Sequence, residues 1–171
     1  VFCGRLTNWK GVETLILALR DMPQVHLDVI GDGPESPMLR SICTHVGLDG
    51  RVVWHGRLDG AQLDRTLSAG HAAVLVSGYE GLSHALLEAA HHGLALIASD
   101  CGGNPEVVQD GHNGMLVPYG DTTALRQAIE TLHSNEDLRY RLARQAQQTA
   151  AQFDFEQTVS QTIEILQEGH V

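Results

Sequence analysis

Apolar runs rich in β-branched residues alternate with helical patterns at intervals of about 25 residues, and glycine stands at the junctions between them; that is the pattern of an α/β fold built on a parallel sheet. The runs predict six strands, at 1–3, 25–30, 51–55, 72–76, 95–99 and 114–117. Between them the spacing predicts helices at 11–20, 35–46, 61–69, 82–92 and 105–109. The remainder, 122–133, 135–152 and 154–167, reads as helix and adds no further strand. A chain of 171 residues is expected to form one domain, burying about 70% of its unfolded surface. In a doubly wound sheet, right-handed crossovers put every strand-to-helix turn on one edge, so the turns 4–10, 31–34, 56–58, 78–81 and 99–103 should line a single cleft.

The most informative of these junctions is Val76-Ser-Gly-Tyr-Glu-Gly-Leu-Ser-His-Ala-Leu-Leu-Glu-Ala-Ala. An apolar strand ends there and a helix begins, with the first N–H groups of that helix pointing back at the turn, where they attract electron-rich ligands. Glu80 lies in the turn and Glu88 on the second turn of the helix. Two acceptor-only carboxylates at one cleft suit a ligand with many hydroxyls, such as a sugar or a ribose. A second junction holds the chain's single lysine, in Gly4-Arg5-Leu-Thr-Asn-Trp-Lys10-Gly11. Arg5 offers a planar fork, Lys10 a point charge and the following helix its amides, a set able to hold a diphosphate. An ordinary pair of solvated cations would read the same way.

Composition narrows the partners. Eleven basic against 21 acidic residues give a formal charge of −10, which argues against nucleic acid and anionic lipid as ligands. The cluster Arg139, Arg141 and Arg144 shares its helix with Glu136 and Asp137 and reads as a solvated face. Cys3, Cys43 and Cys101 have no metal-type spacing and fit reduced thiols in a cytoplasmic protein. No apolar run approaches the roughly 20 residues of a membrane helix. His84 and His91 are two helical turns apart, not the one-turn spacing that chelates a metal, so no metal is expected. Gly31-Asp-Gly-Pro34 permits close backbone approach but lacks the third glycine of a dinucleotide fingerprint. Cys101-Gly-Gly-Asn-Pro-Glu106 joins a flexible turn to a proline at a helix start.

Taken together, Glu80 and Glu88 with seven residues between them, the Arg5/Lys10 turn and Gly102-Gly103-Asn-Pro-Glu106 resemble the C-terminal domain of a retaining glycosyltransferase of the GT-B fold, family 4. The likeness runs over essentially the whole chain and implies a Rossmann-like, donor-binding half of that fold. It implies that Arg5 and Lys10 grip the diphosphate of a nucleoside-diphosphate sugar, with Gly4 in the same turn. Glu88 would hold the ribose, Glu80 the hydroxyls of the transferred sugar, and the amides of Gly81 and Leu82 the donor. Ser83 and His84 would border the sugar, while the base would lie against Arg57, Leu58 and the turn at Gly31. The family commonly has proline where this chain has Ser83. No cofactor or metal is implied beyond the sugar nucleotide, either UDP- or GDP-linked.

The resemblance further implies that an N-terminal domain, absent from these 171 residues, binds the acceptor, whether glycan, lipid or small molecule, and carries any membrane association. The chain alone should then bind donor without turning over. Two readings stand beside it: a sugar-nucleotide epimerase of the same architecture, and a non-catalytic module that binds nucleotide sugars. A dehydrogenase is disfavoured by the missing fingerprint and its downstream acid.

Overall fold

A computed structural model describes residues 1–153. The order of elements is β1 (Phe2–Cys3), a 3-10 turn (Asn8–Lys10), α1 (Val12–Leu19), β2 (Leu27–Ile30), α2 (Ser36–His45), β3 (Val52–Gly56), α3 (Gly60–Ser68), β4 (Ala72–Leu75), α4 (His84–His91), β5 (Ala95–Ser99), α5 (Asn104–Val107), β6 (Met115–Val117), α6 (Thr122–Ser134) and α7 (Glu136–Ala150). All six expected strands form, and all pair in parallel. The expected helix at 154–167 lies outside the described residues.

The six strands form the doubly wound parallel sheet expected. It consists of two three-stranded ladders, β1-β2-β3 and β4-β5-β6. They meet at β1 and β4, where the Val1 amino group donates to Ala72 O at 2.7 Å and Val74 N–H to Val1 O at 2.9 Å. The spatial order is therefore β3-β2-β1-β4-β5-β6, and the winding reverses between β1 and β4. A crossover from β1 to β2 and one from β4 to β5 run in opposite directions, so right-handed connections put α1 and α4 on opposite faces. On one side α1 packs against α2 and α6; α4 packs against α7.

The core follows the sequence period. In α1 the buried residues Val12, Leu15, Ile16 and Leu19 recur at three- and four-residue steps, one stripe of a helix. In β5 all five residues are buried, as a central strand covered on both faces requires. Leu94, Ala95, Leu96, Ile97 and Ala98 are 0% exposed.

Helix starts differ from the sequence expectation by one or two residues, and at two of them the cap shows why. α4 begins at His84 rather than 82, because Ser83 is its N-cap: the serine Oγ accepts from Leu86 N–H at 3.4 Å. A serine at an N-cap satisfies a donor that the helix cannot, so the turn runs two residues longer than apolar spacing suggests. α3 begins at Gly60, one residue early, because Asp59 and Gln62 form a reciprocal capping box.

Candidate functional site

Reversal of the winding opens a crevice above the carboxyl ends of β1 and β4, where ligands of open α/β sheets bind. The turns that follow these strands carry Arg5 and Lys10 on one side and Glu80 on the other, and they touch. Trp9 O accepts from Gly78 N–H at 2.7 Å, and Gly11 lies so close to Val76 O that no side chain would fit between them. Across this contact the Lys10 ammonium donates to Glu80 Oε1. The two side chains are 17% and 13% exposed, so the charges are largely withdrawn from water and depend on each other. Ser77 Oγ donates to the same Glu80 oxygen at 2.8 Å. Glu80 Oε2 accepts from no described residue.

The loop after β5 closes on the other side. Gly103 N–H donates to Glu80 O at 2.9 Å, and Gly102 and Gly103 face the Glu80 and Gly81 backbone at distances that exclude a Cβ. The loop after β6 adds Tyr119, whose ring would stand 2.8 Å from a Cβ on Gly78. Three loops thus hold the Ser77–Ser83 turn. Its Gly81 and Leu82 N–H groups are bonded to no described acceptor and both residues are exposed, so these amides are free for a ligand.

Arg5 is exposed, and its guanidinium donates to no described residue. Glu88 is half-buried beside Cys3: burial pushes the Cys3 thiol up from its ordinary value, and the Glu88 charge pushes it further. Arg57 is exposed near Asp32, and Leu58 packs on the edge of the core. His84 is exposed at the start of α4. Three expected contacts are differently engaged. Ser83 is 3% exposed and spends its hydroxyl on the helix cap, so its side chain faces away from the crevice. Gly4 N–H donates to Ile30 O at 2.9 Å and Gly31 N–H to Gly56 O at 2.6 Å; these amides join strands and are not free donors. The Gly31-Asp-Gly turn is instead stitched internally, with Asp32 accepting from Gly33 N–H and Ser36 Oγ, which hold its carboxyl below the usual carboxylate range.

Sequence reasoning missed Ser77, Ser99 and Asn104. All three are 0% exposed. Ser99 Oγ donates to Ser77 O, and Asn104 Nδ2 donates to Ser99 Oγ at 3.0 Å and to Ser99 O at 3.2 Å. The available signal was a serine at the end of each of two apolar strands, Val76-Ser77 and Ala98-Ser99, where a buried hydroxyl must find a partner.

A cavity of about 510 Å³ opens at the opposite edge of the sheet and is lined in part by Val1, Val25, Asp28, His71 and Ile129. It lies at the amino ends of the strands, away from the strand-to-helix turns. The crevice over β1 and β4 is the better site because it joins free amides and paired charges. Among the described residues, no three His, Cys, Asp or Glu side chains gather as a metal site would need.

Comparison with known proteins follows this geometry. Residues 1–149 match the family described as glycosyl transferases group 1. The lipopolysaccharide core biosynthesis glycosyltransferase LpsE of Rhizobium meliloti is 32% identical over 95% of this chain and 48% of its own length. HepE of Anabaena, solved in complex with UDP-glucose, superposes with a TM-score of 0.90 at 29% identity, covering 98% of this chain and 48% of that one. A C-terminal domain of a group 1 family protein, LpcC of Francisella tularensis, superposes with a TM-score of 0.80 at 26% identity, over 89% of this chain and 83% of that domain. The chain spans less than half the length of the curated relatives it matches.

Proposed function

The chain belongs to the group 1 glycosyl transferases, and from that premise we propose that it is the donor-binding, C-terminal domain of a retaining, family 4 enzyme, taking a nucleoside-diphosphate sugar and handing its glycosyl group to an acceptor held mainly by another domain. The observation that carries this reading is the meeting of Lys10 and Glu80 at the strand switch point, beside the free amides of Gly81 and Leu82. HepE, solved with UDP and with UDP-glucose, supports a sugar nucleotide as the ligand.

In this reading Lys10 and Arg5 face the diphosphate. Lys10 has three donors and spends one on Glu80, which leaves two for phosphate oxygens. Glu80 presents Oε2 to the sugar and Glu88 accepts from the ribose. Breaking the anomeric bond builds negative charge on the diphosphate, and a fixed cation there stabilises the departing group without a metal ion. Departure on the face from which the acceptor arrives accounts for retention, with Glu80 positioning the ring rather than attacking it. Such an enzyme would work in the cytoplasm, where sugar nucleotides are made.

Calorimetry with UDP, GDP, ADP and their sugars tests the reading. At least one nucleotide should bind, and binding should survive EDTA; a strict Mn²⁺ or Mg²⁺ requirement would count against it. Arg5→Ala should weaken that binding by about 1.5–3 kcal/mol, the worth of a charged hydrogen bond. Unchanged affinity would remove Arg5 from the diphosphate site.

The two carboxylates should separate in the same assay. Glu88→Gln is expected to weaken nucleotide and sugar nucleotide alike, since the ribose is common to both. Glu80→Gln should weaken the sugar-bearing donor more than the bare nucleotide, which it reaches only through Lys10. Equal effects of Glu80→Gln on both ligands would show that this carboxylate does not read the sugar.

A further inference from the structure

Six polar side chains are buried among the described residues, and three of them, Ser77, Ser99 and Asn104, lie on one path that ends at Glu80. A buried polar group stabilises a fold poorly compared with an apolar group of the same shape, so such a path calls for a role beyond packing. The path has a direction. Asn104 Nδ2 donates to Ser99 Oγ, Ser99 Oγ to the main-chain carbonyl of Ser77, and Ser77 Oγ to Glu80 Oε1, so Ser99 acts on the backbone that carries the Ser77 hydroxyl. Asn104 keeps its own Oδ1 buried and without a partner, a cost accepted while its amide N–H groups serve Ser99.

The end of the path needs such support. Glu80 has three rotatable side-chain bonds and stands in a turn containing Gly78 and Gly81, which by themselves leave its carboxylate free to swing. Two donors clamp Oε1, and Oε2 is presented in one orientation. Lys10 cannot supply this alone, because its long stem is itself held by the same carboxylate.

We propose that Ser77 and Ser99, backed by Asn104, are positioning residues: a buried relay from α5 through the ends of β5 and β4 that fixes the Glu80 carboxylate for the sugar-bearing part of the donor. The proposal rests on the assignment of Glu80 to the sugar. Ser99 does not touch Glu80, and so it carries the test. In the ligand-free protein the Glu80 carboxyl ¹³C resonance is expected to move in Ser99→Ala as well as in Ser77→Ala. The control Ile97→Val, an equally buried cut in the same strand, should lower stability and leave the resonance in place.

With UDP and UDP-glucose as probes, Ser77→Ala should weaken UDP-glucose on the order of tenfold, as expected for loss of a hydrogen bond to a charged group, and leave UDP unchanged. The loss should vanish in the Glu80→Gln background, since a residue acting through Glu80 has nothing left to position. A Glu80 resonance unmoved by Ser99→Ala, or losses from Ser77→Ala and Glu80→Gln that simply add, would overturn the relay. If Glu80→Gln itself changes neither affinity, or the protein binds neither probe, the relay stands or falls on the resonance alone; the first result also removes Glu80 from the sugar.

Discussion

Lys10→Ala in the intact enzyme is expected to lower turnover by roughly 3–4 kcal/mol, or two to three orders of magnitude, while changing donor affinity much less. The bound donor already carries its diphosphate charge, but the leaving diphosphate gains more as the anomeric bond breaks, and only the interaction that grows on the way to the transition state accelerates the step. Lys10 is placed for that work: its side chain is 17% exposed, its ammonium is anchored by Glu80, and it needs no rearrangement when charge develops. Lys10→Arg should recover only part of the loss, because a planar fork does not replace a compact ammonium in a half-buried pair. Donor affinity and turnover measured for both variants decide the matter. A Lys10→Ala enzyme with normal turnover, or one that loses affinity and turnover in equal measure, would assign the leaving-group charge elsewhere. The 171-residue chain alone is expected to bind donor and transfer nothing.

Gly11→Ala should destabilise the fold by about 2–5 kcal/mol, a large share of the 5–15 kcal/mol that holds a domain of this size together. Gly11 is left-handed, at φ 68°, and a side chain there costs roughly 1–2 kcal/mol. Its Cβ would also drive into Val76 O, a main-chain atom of a residue 1% exposed, with overpacking of about 1–3 kcal/mol. Gly47 has a similar φ of 73° but nothing within 4 Å of an added Cβ, so Gly47→Ala should show the conformational part alone. Urea midpoints for the two variants measure the difference. Equal midpoints would mean that the turns after β1 and β4 are not in the close contact described. Because Gly11 follows Lys10, the same variant should also weaken nucleotide binding.

The architecture was legible because periodicity is a local property. Runs such as Ala95–Ser99 and the three- and four-residue steps of α1 declare their elements without reference to partners. The gathering of the turns on one edge followed from the hand of the crossovers, and it led directly to Arg5, Lys10, Glu80 and Glu88 as residues of one cleft. Element ends were less legible, as at Ser83, because a capping hydroxyl and a ligand-facing hydroxyl read alike in a sequence.

What the sequence by itself determined, then, is the class of fold and the edge on which the turns carrying Lys10 and Glu80 gather. Tertiary structure alone decided the pairings. Lys10 and Glu80 are 70 residues apart, and they meet because the sheet reverses its winding between β1 and β4. The amides of Gly4 and Gly31 were lost to strand pairing, and those of Gly81 and Leu82 were left free, by the same choice of neighbours. Ser77, Ser99 and Asn104 carry no pattern that separates them from any other small polar residue at a strand end. A hydroxyl's role depends on which acceptor lies within about 3 Å, and that is settled only when distant strands are laid side by side.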